Sequence, residues 1–232
     1  MCGRYTAVAD LREVVTALGV EQVLAAAEAP RYNIAPTQQI AAVRQVESVR
    51  QLDLFSWGLK LTWANSSLTP SNLINARVES VTQKPSFREA AKYRRCLIPA
   101  SGWYEWQSTV LTAGKKQPFY FYSNELPVLA FAGIYEISES GEFSAAIITQ
   151  DANEIVGPIH DRMPLILSSG FFADWLDPSL TNSAEIVAIA RTAAPPELHG
   201  HAVTTEVNSA RAQGPHLIAP TDPEPTQPGL FD

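Results

Sequence analysis

The sequence predicts an α+β fold with an antiparallel, barrel-like β core and peripheral helices. Three observations lead there. Short apolar or alternating runs crowd the middle of the chain. Short turn-rich gaps separate them, which favours antiparallel neighbours over long crossover connections. Helical periodicity is confined to stretches near the two ends.

Taken in order, Asp10 and Glu13 form a capping box. Leu11, Val14, Val15 and Leu18 then share a helical face, and Gly19 can end the helix. Ala25 to Pro36 is turn-rich. Ile40–Val46 and Arg50–Phe55 read as strands, and Thr62–Asn72 as a polar loop. Cys96–Trp106, Phe119–Tyr122, Val128–Ile137 and Phe143–Thr149 are four further strands. Gly114-Lys115-Lys116 lies between the first two as a hairpin turn would. Phe171–Leu176 and Ala184–Ala190 read as helices, with Ser169 and Asn182 as caps. A last strand is expected over Ala202–Val207. Residues 1–218 are expected to form a single domain. The stretch 219–232 has four prolines, three acids and little apolar content, so it is expected to be a disordered tail.

Composition narrows the function. The 232 residues are 46% hydrophobic and 18% charged, ordinary values for a soluble globular protein. No run approaches the ~20 apolar residues of a membrane helix, and no secretory signal is visible. Cys2 and Cys96 are the only cysteines, which rules out a disulfide framework and fits a reducing, intracellular compartment. A net charge of −7 argues against a uniformly basic nucleic-acid binder. The balance reverses locally between Asn75 and Arg95. There Arg77, Lys84, Arg88, Lys92, Arg94 and Arg95 face only Glu79 and Glu89. Such a strip can grip a few phosphates, or it can be a solvated face.

Cys2 is the residue on which chemistry turns. Removal of Met1 would leave a free α-amine beside a thiol, and the two can add to one carbonyl carbon to close a five-membered ring. The amine, with a pKa of roughly 7.7–8.0, is about a tenth neutral at pH 7, and a few per cent of an ordinary thiol is thiolate. Three other clusters could assist. Asn75 and Arg77 project from one face of an extended segment, offering an amide for an amine or oxyanion and a fork for phosphate; the alternative is a loop asparagine and a surface arginine. Glu105 sits among Trp103, Tyr104 and Trp106, where desolvation would raise its pKa toward the range useful for proton transfer; the alternative is an edge-strand glutamate facing solvent with the aromatics in the core. His160 lies between Ile159 and Asp161, with Arg162 and Pro164 following, and could move a proton, or it is an ordinary turn histidine. His199 and His201 lack a nearby third ligand and read as a surface loop, so no metal and no cofactor are expected.

Eight motifs in order carry a resemblance: Met1-Cys2-Gly3-Arg4-Tyr5, Arg31-Tyr32-Asn33-Ile34-Ala35-Pro36, Trp57-Gly58-Leu59, Asn75-Ala76-Arg77-Val78-Glu79, Arg95-Cys96-Leu97-Ile98-Pro99-Ala100, Gly102-Trp103-Tyr104-Glu105-Trp106, Phe131-Ala132-Gly133-Ile134-Tyr135 and His160-Asp161-Arg162-Met163-Pro164. Together they resemble the SRAP family, the SOS-response-associated proteins. The resemblance implies a sensor of abasic sites in single-stranded DNA. In it the Cys2 α-amine forms a Schiff base with the ring-opened sugar, and the thiol closes a thiazolidine crosslink that shields the lesion. It implies Asn75 as the group holding Cys2 and the sugar, Glu105 as the proton-transfer acid, and His160 as the acid/base for ring opening and reversal. Arg4, Arg77 and Arg162 are implied as phosphate holders. Asn33 and Pro36 are implied to shape the DNA surface, and Trp57 or Trp63 to offer stacking faces. The resemblance further implies autoproteolytic or peptidase-like loss of Met1 and a place at damaged DNA in a bacterial cytoplasm; a monomer is expected because no oligomerisation pattern is visible in the sequence.

Gln227, Leu230 and Phe231 near the tail's end resemble a bacterial sliding-clamp docking motif; a random terminus is the alternative. Two rival functions stay open. One is an N-terminal-nucleophile cysteine amidohydrolase or peptidase. The other is a non-covalent single-strand binding module in which Cys2 is structural.

Overall fold

The computed structural model describes residues 2–26, 29–61, 73–110, 116–192 and 195–222. Met1, Trp63, the Thr62–Asn72 loop, most of the expected 114–116 turn, and Gln227, Leu230 and Phe231 lie outside these residues.

The chain opens with strand β1 (Arg4–Ala7) and helix α1 (Leu11–Leu18). The capping box is present in full: Glu13 N–H donates to Asp10 Oδ1 and Asp10 N–H to Glu13 Oε2, both at 2.8 Å. Gly19 ends α1 at φ 62°, a left-handed conformation that suits glycine. Next come β2 (Gln22–Val23), β3 (Arg31–Ile34), β4 (Gln39–Val46), β5 (Val49–Trp57), β6 (Asn75–Arg77) and α2 (Arg88–Tyr93). They are followed by β7 (Arg95–Ala100), β8 (Gly102–Val110), β9 (Lys116–Tyr122), β10 (Leu129–Ile137), β11 (Phe143–Asp151), β12 (Arg162–Pro164) and β13 (Ile166–Leu167). Helices α3 (Phe172–Leu176) and α4 (Ser183–Thr192) and strand β14 (His199–Ala202) complete the set.

The larger sheet curls into a ring. β11, β10, β7, β4 and β5 pair in that order and antiparallel, and a parallel β5–β11 contact closes the circuit. β6 lies parallel to β11 and extends that strand's pairing beyond β5. The smaller sheet, in the order β14-β9-β8-β1-β3, packs against the ring. The expected barrel-like α+β architecture is therefore present.

Strand alternation sorts the core into layers. One face of the ring strands, including Val43, Leu52, Leu97, Ala132 and Ile148, buries under Leu18 of α1, Ala90 and Ala91 of α2, Trp175 of α3 and Ile186 of α4. The alternate residues, among them Ile40, Phe55, Trp57, Ile98, Phe131 and Ile147, pack with Cys2, Tyr5, Trp103 and Phe121 of the smaller sheet. Tyr104 and Tyr120, on that sheet's outer face, are covered by Val203, Val207 and Leu217.

Four expectations are corrected. The run Cys96–Trp106 is two strands broken at Ser101, because β7 belongs to the ring and β8 to the second sheet. Arg31–Ile34, within the turn-rich segment, is a strand held on β1. The last strand falls earlier than Ala202–Val207: His199 and His201 lie on β14, paired with β9, and are not a loop. Thr205–Asn208 is instead a 3-10 turn, with Thr204 Oγ1 capping Glu206 N–H. The cap expected at Ser169 is inside a 3-10 turn ahead of α3. No helix among the described residues is long and apolar enough to cross a membrane.

Candidate functional site

Cys2 lies just ahead of β1, and the β1–β8 register, Tyr5 opposite Trp103 and Arg4 opposite Tyr104, directs it toward the Glu105 end of β8. Its side chain is fully buried. Asn75 opens β6, whose pairing with β11 sets Asn75 opposite Ile147. From there Asn75 Nδ2 donates to the Cys2 carbonyl at 2.8 Å. The other half of that amide, Oδ1, is buried and has no hydrogen-bond partner among the described residues.

Glu105 is 1% exposed. Burial pushes its carboxyl up to about 7, against the pull of the positive charge at the chain's amino end; Asp161 adds to the rise. Burial likewise pushes the Cys2 thiol well above its ordinary value, and the negative charge of Glu105 adds to this. His160 shifts the other way. Burial and then the amino-end charge lower its pKa, with Asp161 opposing. Arg162 N–H donates to His160 Nδ1 at 2.9 Å, although Asp161 Oδ1 also lies 3.0 Å from that nitrogen. One ring nitrogen cannot accept the backbone proton and donate to a carboxylate together. Asp161 is 82% exposed, so the backbone bond is the more sheltered of the two contacts. With Nδ1 accepting, a neutral ring carries its proton on Nε2.

Glu105 acts on the Cys2 thiol, Asp161 beside His160 acts on Glu105, and Asn75 grips the Cys2 backbone. The structure brings these four together. On β11, two residues beyond Ile147, Thr149 Oγ1 is fully buried and has no hydrogen-bond partner among the described residues. Thr149 follows Ala145 and Ile147 on the inward face of β11, so a hydroxyl at an apolar, alternating position is the signal for it in the sequence.

The expected DNA-contacting residues divide. Arg77 is exposed, and its guanidinium has no hydrogen bond to any described residue. Arg4 is partly committed: it donates to Asn33 Oδ1 and to the Val207 carbonyl, each at 2.9 Å, and more weakly to the Asn208 carbonyl. Asn33 is buried, and its Nδ2 is shared among the carbonyls of Val207, Ser209 and Ala212. It therefore staples the C-terminal segment to β3 and shapes the surface from beneath. Pro36 is partly exposed in the turn after β3.

Two expectations fail. Trp57 cannot stack on a base, because it is 0% exposed, edge-on to Tyr5 and bonded through Nε1–H to the Ile74 carbonyl. Arg162 is 5% exposed and already engaged. It forks onto Glu79 at 2.9 and 3.0 Å, pairs with Asp151 and donates to the Thr149 carbonyl. Arg162 positions the His160 loop against β11. Among the described residues no group of three His, Cys, Asp or Glu side chains is placed to hold a metal.

Fold and site together define a class: a two-sheet α+β protein that buries a cysteine at its second residue, with an amide on the cysteine's carbonyl and a high-pKa glutamate beside its thiol. The chain belongs to the SRAP family, SOS response associated peptidase, whose pattern matches residues 1–210. It is 33% identical over 223 residues to abasic site processing protein YoqW of Bacillus subtilis, spanning 94% of this chain and 99% of YoqW. It is 30% identical over 231 residues to abasic site processing protein YedK of Escherichia coli, spanning 95% of this chain and all of YedK. A crystal structure of a protein from Bacteroides thetaiotaomicron shares the fold with a TM-score of 0.79 at 24% identity, over 95% of this chain and 100% of the other.

Proposed function

We propose that this protein processes abasic sites in single-stranded DNA, and that it does so by forming a thiazolidine crosslink through Cys2 once Met1 is removed. The observation that carries this reading is the pairing of a clamped Cys2, held by Asn75 at 2.8 Å, with a buried Glu105 whose carboxyl titrates at about 7. The names of YoqW and YedK support the lesion class.

A carboxyl with this pKa both gives and takes a proton near neutrality. The Cys2 amine attacks the aldehyde carbon of the opened sugar. One amine proton passes to the carbonyl oxygen, Glu105 or His160 Nε2–H supplies the second, the oxygen leaves as water, and the remaining nitrogen proton returns to that conjugate base to leave a neutral imine. The thiol sulfur then bonds to the imine carbon. Its proton passes to the nitrogen through the Glu105 carboxylate, and the ring is closed. Asn75 keeps amine and thiol on one side, and its unpartnered Oδ1 is available to a sugar hydroxyl or the amine. Arg77 and the free edge of Arg4 hold flanking phosphates.

The raised thiol pKa weighs against the amidohydrolase alternative, which needs a thiolate to attack an amide. In the proposed order the amine acts first and a neutral thiol suffices. The test is a denaturing gel of protein with single-stranded DNA carrying one abasic site, alongside intact DNA and Cys2→Ala. A heat-stable shifted band is expected only for wild type on the abasic strand. No band from protein whose mass confirms loss of Met1 would overturn the mechanism; Cys2→Ala that keeps full affinity, with no adduct from wild type, would favour the non-covalent module.

A further inference from the structure

The basic strip between Arg77 and Arg95 is not consumed by the site, and the structure sorts its members. Arg95 is buried and donates to the carbonyls of Ala91, Lys92, Trp175 and Asp177, which locks α2 to α3. Arg94 pairs with Glu136 at 2.7 Å. Of the acids, Glu79 is neutralised by the Arg162 fork, and Glu89 lies 3.7 Å from Arg88 in a loose, half-exposed pair. Among the described residues, what remains uncommitted is Arg77, Lys84 and Lys92, with Arg88 only loosely engaged.

These cations are ordered in space. Ser80 N–H bonds to the Arg77 carbonyl, Lys84 N–H to Ser80, and Arg88 N–H to Lys84, so consecutive turns lead from β6 into α2. Arg88 and Lys92 are four residues apart on α2 and share one side of it, about 6 Å apart along the axis, and Lys84 is exposed in the turns that lead into the helix. Ala90 and Ala91 face the core, so this side faces out. Tyr93, next to Lys92 at the end of α2, is 48% exposed and one of the few large apolar side chains so displayed among the described residues. The stripe begins at Arg77, two residues from Asn75, on a protein of net charge −7. A succession of uncommitted positive charges with an exposed aromatic ring at its end suits a strand of phosphates carrying unstacked bases.

We propose that Lys84, Arg88 and Lys92, with Tyr93, form a track that carries one flank of the single-stranded DNA away from the lesion site along α2. The inference rests on the abasic-site reading and adds the path and the contact chemistry of the strand. A short strand ends before the track, so only a long flank engages it. Arg77 then serves the lesion and the track serves the flank.

The experiment compares wild type with Lys84→Ala/Arg88→Ala/Lys92→Ala and with Tyr93→Ala. Binding is read by fluorescence anisotropy in the Cys2→Ala background, on five- and twenty-nucleotide strands with a central stable abasic analogue. Each single-strand phosphate contact adds about 0.7 to the slope of log affinity against log salt. The triple variant should therefore lose about 2 from that slope on the long strand and nothing on the short one, with Lys84→Arg/Arg88→Lys/Lys92→Arg restoring it. Tyr93→Ala should weaken the long strand about five-fold with the slope unchanged. An unchanged slope for the triple variant on the long strand overturns the track. The same substitutions with Cys2 intact, on five- and twenty-nucleotide strands that carry an authentic abasic site in place of the analogue, separate the two ideas: equal crosslinking of the short strand by wild type and triple variant leaves the Cys2 chemistry standing when the track fails, whereas no crosslink to either strand by wild type defeats the chemistry itself.

Discussion

Cys2 and Cys96 are the same residue at the same depth, both fully buried, and burial pushes both thiols up. Their neighbourhoods differ in kind. Cys96 is surrounded by packing. It lies opposite Gly133 across β7–β10, where any Cβ on residue 133 would come within 2.8 Å of Cys96 Sγ. Its carbonyl accepts Trp175 Nε1–H at 3.0 Å, and desolvation is the sole cause of its shift. Cys2 shares its burial with polar groups: an amide on its carbonyl, a glutamate whose carboxyl burial pushes up to about 7, and, past Asp161, an imidazole whose pKa burial lowers. Depth alone therefore decides little about a thiol. What shares the low-dielectric space decides whether protons can move.

The sharpest way to break this contrast, short of removing Cys2, is Glu105→Gln. Loss of the proton-transfer group should slow crosslinking on the order of 100-fold and erase the inflection near pH 7 in its rate profile. Stability provides a second readout. The folded-state pKa lies above the ordinary 4.5, so the stability Glu105 contributes is full below pH 4.5 and is lost as pH rises through about 7. A shift of this size corresponds to roughly 3 kcal/mol. Urea melts at pH 4.5 and 8 should show wild type losing this much more than Glu105→Gln; equal losses would mean that Glu105 is not buried as described.

Asn75→Ala tests the grip on the Cys2 backbone. Loss of one buried hydrogen bond of about 1–1.5 kcal/mol should slow crosslinking about ten-fold, with no change in the pH inflection. A single-turnover gel assay across pH distinguishes this from loss of the acid. Cys96→Ala completes the series with the smallest effect. It should cost about 1 kcal/mol in a thermal or urea melt through the cavity it leaves, and crosslinking should match wild type. A Cys96→Ala protein that folds and fails to crosslink would collapse the distinction between the two cysteines.

Much of the fold and of the candidate site is legible in the sequence alone. The Asp10–Glu13 box and Gly19 bracket α1, because a helix end is decided by residues within four positions. The bodies of β4, β5, β9, β10 and β11 follow their alternating or apolar runs. The shared face of Trp103 and Glu105, and the burial that lifts the carboxyl, follow from strand period. Trp57 is not legible in this way, because an aromatic at a strand end looks alike whether it faces solvent or a second sheet. Nor is the engagement of Arg162, because Glu79, which occupies its fork, lies 83 residues away.

The sequence by itself determined the local frame: where α1 starts and stops, which residues of each strand share a face, and that Cys2, Asn75, Glu105 and His160 are the candidates for chemistry. Only the tertiary structure decided that β5 closes on β11, that β1 slots between β3 and β8, and that Asn75 reaches Cys2 across 73 positions of chain. The physical reason is range. Capping and periodicity are written in neighbours a few bonds apart, whereas register, closure and desolvation arise when distant segments exclude water together. No local pattern encodes that partner choice.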